Sequence, residues 1–282
     1  MKRNFNTKGY EKEYEELLDR LEKSIISAPQ HSAPLTQPNP ATPINKPEPI
    51  ANLNNPEDYI ILEGRVHDNY SYPDLLVSKY RLSSTNLDNN TGEEANGRKY
   101  IGNIKWENAL TLNLNLNGFT LNPRQFIDFL ALLKSGKAYD SKGSAIKKDE
   151  LLQIYDEITK VRTPWRSEWM DASFESINDK LYLLSKHKLV NGILTPEYKE
   201  FVENSTLMKD KLPGISLDSL LKTANKQGFP INKTENGELY FWHPRNGGVA
   251  GLDAVSDWAY LICNRNPTYS YPALGVRFAC EK

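Results

Sequence analysis

The stretch Thr163-Pro164-Trp165-Arg166-Ser167-Glu168-Trp169-Met170-Asp171 gathers two indoles, one guanidinium and two carboxylates within nine residues. Carboxylates held beside an arginine and an indole could exchange protons with a substrate. A structural use competes with that chemistry: Trp165 and Trp169 stand at i and i+4, where they would bury one face while Arg166 pairs with a nearby carboxylate. Ion-pair clusters usually shift acidities without catalysing anything, so the structural use is favoured.

Elsewhere the chemistry is sparse. The chain contains no glycine-rich phosphate loop, GxSxG elbow, HExxH pair or cysteine–histidine nucleophile arrangement. Neither catalysis nor a cofactor is expected. Cys263 and Cys280 lie 17 residues apart and the four histidines are scattered, which gives neither a disulfide framework nor zinc spacing. With 35 basic and 36 acidic side chains the formal net charge is −1, so no global field steers the chain to nucleic acid or an anionic membrane. No run approaches the about 18 uninterrupted apolar residues of a membrane span. The first residues, Met1-Lys2-Arg3-Asn4-Phe5-Asn6, lead into charges instead of an apolar signal core. A cytoplasmic or virion-associated protein without direct membrane insertion is expected.

The sharpest signal is compositional. From Leu239 to Cys280, 42 residues, there is no Lys, Glu, Gln or Met, although these four types number 53 among the 282 and would be expected about eight times in such a window. The window still carries charge, as Arg245, Asp253, Asp257, Arg265 and Arg277, so it is not simply an apolar core segment. Apart from two tryptophans, every residue type present is one encoded by a codon ending in C. Randomising the adenines of an AAC codon produces that set and excludes Lys, Glu, Gln, Met, Trp and stop.

The chain end, Ser256-Asp257-Trp258-Ala259-Tyr260-Leu261 through Cys263-Asn264-Arg265-Asn266-Pro267 to Ala273-Leu274-Gly275-Val276-Arg277, resembles the variable proteins of diversity-generating retroelements. In that family a reverse transcriptase mutates template adenines and writes them into the 3′ end of the gene. Ser71-Tyr72-Pro73-Asp74-Leu75-Leu76-Val77, Pro123-Arg124-Gln125-Phe126 with Leu133-Lys134-Ser135-Gly136, and Trp165-Arg166-Ser167-Glu168-Trp169 extend the resemblance over most of Tyr59 to Lys282. It implies a C-type lectin fold of the formylglycine-generating-enzyme type, whose closing strand carries a Gly-Phe-Arg-like motif, here Gly275-Val276-Arg277. The implied function is a ligand-binding protein whose diversified C-terminal surface recognises a macromolecular target. Two other readings remain: an oxidase like the formylglycine-generating enzyme, which would need a close cysteine pair, and a calcium-dependent sugar lectin, whose Glu-Pro-Asn or Trp-Asn-Asp signature is missing.

Between Ala259 and Arg265 the family-like residues Ala259, Leu261, Cys263 and Arg265 alternate with Tyr260, Ile262 and Asn264, as on the two faces of a strand. If the first set faces the core, the second can change without opening a cavity. Leu252, Asp253, Val255, Tyr260, Ile262, Asn264, Asn266, Tyr269 and Tyr271 are therefore expected to form one exposed recognition face, with Tyr269 and Tyr271 as anchors in a paratope-like setting of Ser, Asn and Gly. The target is expected to be a protein. Trp242, Trp258, Leu261, Cys263, Arg265, Gly275 and Arg277 are expected to be scaffold, the two tryptophans because no AAC-derived codon encodes them. Arg277 should be buried and hydrogen-bonded to the last strands.

These residues need elements to position them. The 25% charged and 39% apolar residues suit a globular chain, and the pattern is α+β: a C-type lectin-like domain with short twisted strands, two or more helices and long loops. Three segments follow from composition. Residues 1–27 carry an amphipathic stripe at Tyr10, Tyr14, Leu17, Leu18, Leu21 and Ile25, which reads as an isolated helix that packs on the main domain or on its copies in an oligomer. Residues 28–57 hold eight of the 17 prolines and read as an extended linker. Residues 58–282 form the domain, with its diversified region over 239–280. Within it, 59–62 and 75–77 read as strands, a helix spans 106–112, and the Leu-Asn alternation over 112–117 suits either a strand or that helix continued. Asn122-Pro123 caps a helix that Gly136 stops, and another spans 148–159.

Overall fold

The computed structural model describes residues 55–83, 91–94, 96–209, 212–234 and 237–282. The helix expected in residues 1–27 and nearly all of the linker lie outside the described residues. The fold is mixed α+β. In chain order its strands are β1 (Tyr59–Leu62), β2 (Arg65–His67), β3 (Tyr70–Tyr72), β4 (Leu75–Arg81), β5 (Gly92–Glu93), β6 (Lys99–Tyr100), β7 (Arg166–Ile177), β8 (Lys180–Val190), β9 (Ile193–Phe201), β10 (Leu212–Ile215), β11 (Leu239–Trp242), β12 (Val249–Ala254), β13 (Ala259–Arg265), β14 (Leu274–Gly275) and β15 (Arg277–Glu281). Its helices are α1 (Trp106–Asn115), α2 (Pro123–Ser135), α3 (Lys148–Thr159) and α4 (Leu217–Thr223).

Both ends of α2 obey local chemistry. The Asn122 side chain accepts from the Gln125 backbone N–H while the Gln125 side chain accepts from Asn122 N–H, a capping box ahead of Pro123. Gly136 ends α2 in the left-handed region at φ 67°, where a Cβ would add strain. The Leu-Asn alternation resolves as helix, because α1 runs on to Asn115, Asn113 is buried, and Asn117 turns the chain at φ 59°.

Strand length departs from expectation. β7, β8 and β9 run to 12, 11 and 9 residues, not the short strands anticipated. They are joined by two-residue turns, Asn178-Asp179 and Asn191-Gly192, in which both residues have positive φ, the geometry that matches strand twist. Trp165 and Trp169 accordingly lie at and within β7 and not on a helix. A strand also returns residues four apart to the same side, so their spacing could not separate the two.

The main sheet has eight strands, ordered β10-β11-β13-β12-β7-β8-β9 with β14 added parallel to β7. β11 and β13 are also parallel to each other. A second sheet, β1-β4-β15, pairs β15 with β4 and so brings residues 277–281 beside 75–81. α2 and α3 pack with β1, β4 and one face of the main sheet around Phe126, Phe129, Leu130 and Leu151. The other face is covered around β7 by a cluster of Trp106, Leu110, Trp169, Leu274, Val276 and Phe278.

Candidate recognition face

The parallel register of β11 and β13 sets Tyr240 beside Tyr260 and Trp242 beside Ile262. The intervening residues, Leu239, Phe241, Ala259, Leu261 and Cys263, are buried on the opposite side. Tyr240, Trp242, Tyr260, Ile262 and Asn264 are each half-buried. The alternation expected along Ala259–Asn264 is thus present, and β11 doubles its width. Tyr240 is edge-on to Trp258 at 4.7 Å between ring centroids and tilted against Tyr260 at 5.4 Å. Tyr240 was not among the residues expected at the site, because only its pairing with a strand 20 residues later brings it there.

Continuing the ladders through β12 and β7, two cross-strand rows share this outer side: Tyr240-Tyr260-Asp253-Ser167 and Trp242-Ile262-Gly251-Trp169. Their far ends are covered, and two expected recognition residues are corrected there. Leu252 pairs with Leu261 and so points into the core, 3% exposed. Asp253 lies on the outer side but is only 4% exposed, because its carboxylate accepts from Ser167 Oγ and pairs with Arg265 Nη2.

Arg265 also departs from the expected alternation, which would place it with Cys263 in the core. A register shift in the β12–β13 ladder between Val249 and Gly251 reorients the strand end, and the guanidinium crosses the outer side. There Arg265 Nη1 donates to Ser167 Oγ at 2.9 Å and the guanidinium lies 5.2 Å from the Trp169 ring centroid. Gly251 leaves the lane open: a Cβ on it would stand 2.9 Å from Glu168 O and 3.3 Å from Arg265 Nη1.

Of the other expected recognition residues, Val255 is half-buried and its carbonyl accepts from Arg162 N–H at 2.9 Å. Asn266 is exposed, but its side-chain oxygen caps the following turn, accepting from Thr268 N–H and Oγ1 at 2.9 Å. Tyr269 packs partly against the cluster around Trp169, with Arg265 5.9 Å from its ring centroid. Tyr271 is 40% exposed and stacks on Trp165 at 4.3 Å. Trp258, expected as scaffold, is 39% exposed at the turn after Ser256-Asp257, and it contributes to the surface instead of the core.

Beneath the face lies a buried charge network. Glu168 accepts from Arg277 Nη2 at 2.6 Å and Nε at 3.2 Å, and also pairs with Arg166. Burial alone would raise the Glu168 carboxyl, but the Arg166 and Arg277 guanidiniums hold it down at about 2. Arg81 Nε and Nη2 each donate to Glu94 at 2.9 Å. The Glu94 carboxyl, likewise opposed by burial, is held far below its usual range by Arg166 and Arg81. Glu157 moves the other way, raised by burial and by a hydrogen bond shared with Glu94. Burial also pushes the Cys263 thiol well above its usual value. Among the described residues no group of three or more His, Cys, Asp or Glu is placed to hold a metal ion. Among them, too, no helix is long and apolar enough to cross a membrane.

No known protein family, curated protein or solved structure matches this chain.

Proposed function

We propose that this chain is a retroelement-diversified binding protein of C-type lectin-like fold, and that Tyr240, Tyr260, Ile262, Asn264 and Tyr271 recognise a protein ligand. The observation that carries the reading is the two-sided β11–β13 pair. Every core-side residue there is buried, while the outer side combines aromatic, aliphatic and amide groups at partial exposure. A mutagenic process confined to codons for the outer side would change what is bound without opening a cavity, which in a core costs about 2–5 kcal/mol per large truncation. The filtered composition of 239–280 spans inner and outer positions alike, and the outer residues Tyr240, Tyr260, Ile262 and Asn264 all belong to the set such a process writes. Tyrosine and tryptophan bring broad contact area at low entropy cost, and asparagine adapts its hydrogen bonds to successive ligands.

The C-type lectin-like assignment draws support from β15, which returns to pair with β4, and from Arg277 in the Gly275-Val276-Arg277 motif at that closure. A thiol oxidase is less well served, since burial raises the pKa of both thiols and a thiol that stays protonated is a poor nucleophile.

Sequencing the DNA around the gene tests the proposal. A near-repeat of codons 239–280 that differs mainly at adenines, beside a reverse transcriptase gene, is the expected result. Its absence from the surrounding genome would overturn the diversification.

A further inference from the structure

One aromatic group at the rim of the face comes from outside the filtered window. Trp165 stacks on Tyr271 with ring centroids 4.3 Å apart and planes 29° from parallel, and it is half-buried while Tyr271 is 40% exposed. The two residues come from different regimes. Tyr271 lies in 239–280, where composition points to codon-limited change, and Trp165 precedes that window on the segment entering β7.

The backbone around this pair is held on every side. Arg166, the next residue, has its guanidinium fully buried against Glu168, and Ser167 N–H donates to Ala273 O at 3.0 Å. Upstream, Arg162 N–H donates to Val255 O at 2.9 Å, which ties the connector to the end of β12. On the other side the Tyr271 carbonyl accepts from Asn103 N–H at 2.8 Å and Leu274 N–H at 2.9 Å. A Cβ on Gly102 would stand 1.9 Å from Pro272 O, so the two backbones touch there. An indole on such a support loses little freedom when a ligand arrives, which is the property of a binding hot spot.

We infer that Trp165 is a constant anchor of the recognition face, and that the residue at 271 sets how much of its indole a protein ligand meets. The inference rests on the binding reading above and adds to it a division of labour. Tyrosine at 271 covers one face of the indole. A serine or asparagine there would uncover it, so diversification at one codon changes both its own contact and access to a side chain that does not vary. Every variant would then share part of its ligand preference, for an apolar or aromatic side chain seated against Trp165.

The test uses the full chain and a naive library of disulfide-constrained peptides displayed on phage, which settles on whatever surface binds most readily. Peptides selected on the unmodified protein are measured against Trp165→Ala, Trp165→Phe, Tyr271→Ser, the pair Tyr240→Ser with Tyr260→Ser, and Val66→Ser, a 77% exposed residue of the β2–β3 hairpin, as the control. At least tenfold weaker binding is expected with Trp165→Ala and with the tyrosine pair, with most affinity recovered in Trp165→Phe and none lost in Val66→Ser. Acrylamide should quench tryptophan fluorescence more in Tyr271→Ser, and the increase should vanish when Trp165 is also phenylalanine. That optical readout holds even if Trp165→Ala folds poorly. Loss with the tyrosine pair but none with Trp165→Ala would overturn the anchor and leave the binding face standing. Peptides indifferent to all of these variants would overturn both.

Discussion

Arg277 and Glu168, 109 residues apart, meet in the interior through two charge-assisted hydrogen bonds of 2.6 and 3.2 Å. Arg277 Nη1 also donates to Ser78 O at 2.7 Å, and its own carbonyl accepts from Asn113 at 2.9 Å. The Arg277 side chain therefore joins β15, β7 and β4, its backbone carbonyl adds α1, and the closing strand is fixed beneath the outer face of β11 and β13. Arg277→Ala would leave Glu168 buried beside Arg166 with its bidentate partner gone. A loss of about 3–5 kcal/mol is expected from urea unfolding, as for other broken buried pairs. Arg277→Lys should recover little, because a single ammonium cannot reproduce the fork. Unchanged stability in Arg277→Ala would contradict the role assigned to this closure.

Acid should act on the same network. The Glu168 carboxyl is lowered from 4.5 to about 2 in the folded chain, so its contribution is complete above 4.5 and is lost as pH falls towards 2. The difference corresponds to about 3 kcal/mol at neutral pH. Stability followed by denaturant from pH 6 to 2.5 should fall steeply below 4.5, and Glu168→Gln should show a shallower fall from a lower starting value. Equal slopes in the two proteins would place the acid sensitivity elsewhere.

Asp253 and Arg265 should behave as a unit. Both stand in the filtered window, yet each satisfies the other and Ser167 at low exposure. Asp253→Asn and Arg265→Asn are each expected to cost about 1–3 kcal/mol, since each strands a buried partner. The double replacement should cost clearly less than the sum, giving a coupling above about 1 kcal/mol. Additive losses would mean that the pair is incidental and that both positions are as free to vary as Tyr260.

Local chemistry made part of this legible in advance. The Asn122-Pro123 cap and Gly136 stop located α2, and the two-residue period of Ala259–Asn264 separated inner from outer side chains. The Asn191-Gly192 turn between β8 and β9 went unread, although Asn-Gly is the signal of a two-residue hairpin. What else escaped depends on pairing between distant strands. Tyr240 and Trp242 join the face only because β11 runs parallel to β13, which no local period announces. Arg265 leaves its alternation at a register shift whose partner strand lies more than ten residues away, and Asp253 is buried as a consequence. Leu252 was misplaced for the same reason: its side is decided by its register with Leu261, not by residue type.

The central claim is that the outer side of β11 and β13 carries diversity while the inner side carries stability. Two libraries of the full chain measure this directly, one drawing residues 240, 260, 262 and 264 from the AAC-derived set, the other drawing 239, 241, 261 and 263 from the same set. Each displayed library is challenged with protease, whose cleavage of opened molecules tracks folding free energy. The account predicts that most outer clones survive like the parent, each change at these half-buried positions costing within about 1 kcal/mol. Most inner clones should be cut, since polar or truncated side chains there cost about 2–5 kcal/mol each. Equal survival of the two libraries, or better survival of the inner one, would contradict the account.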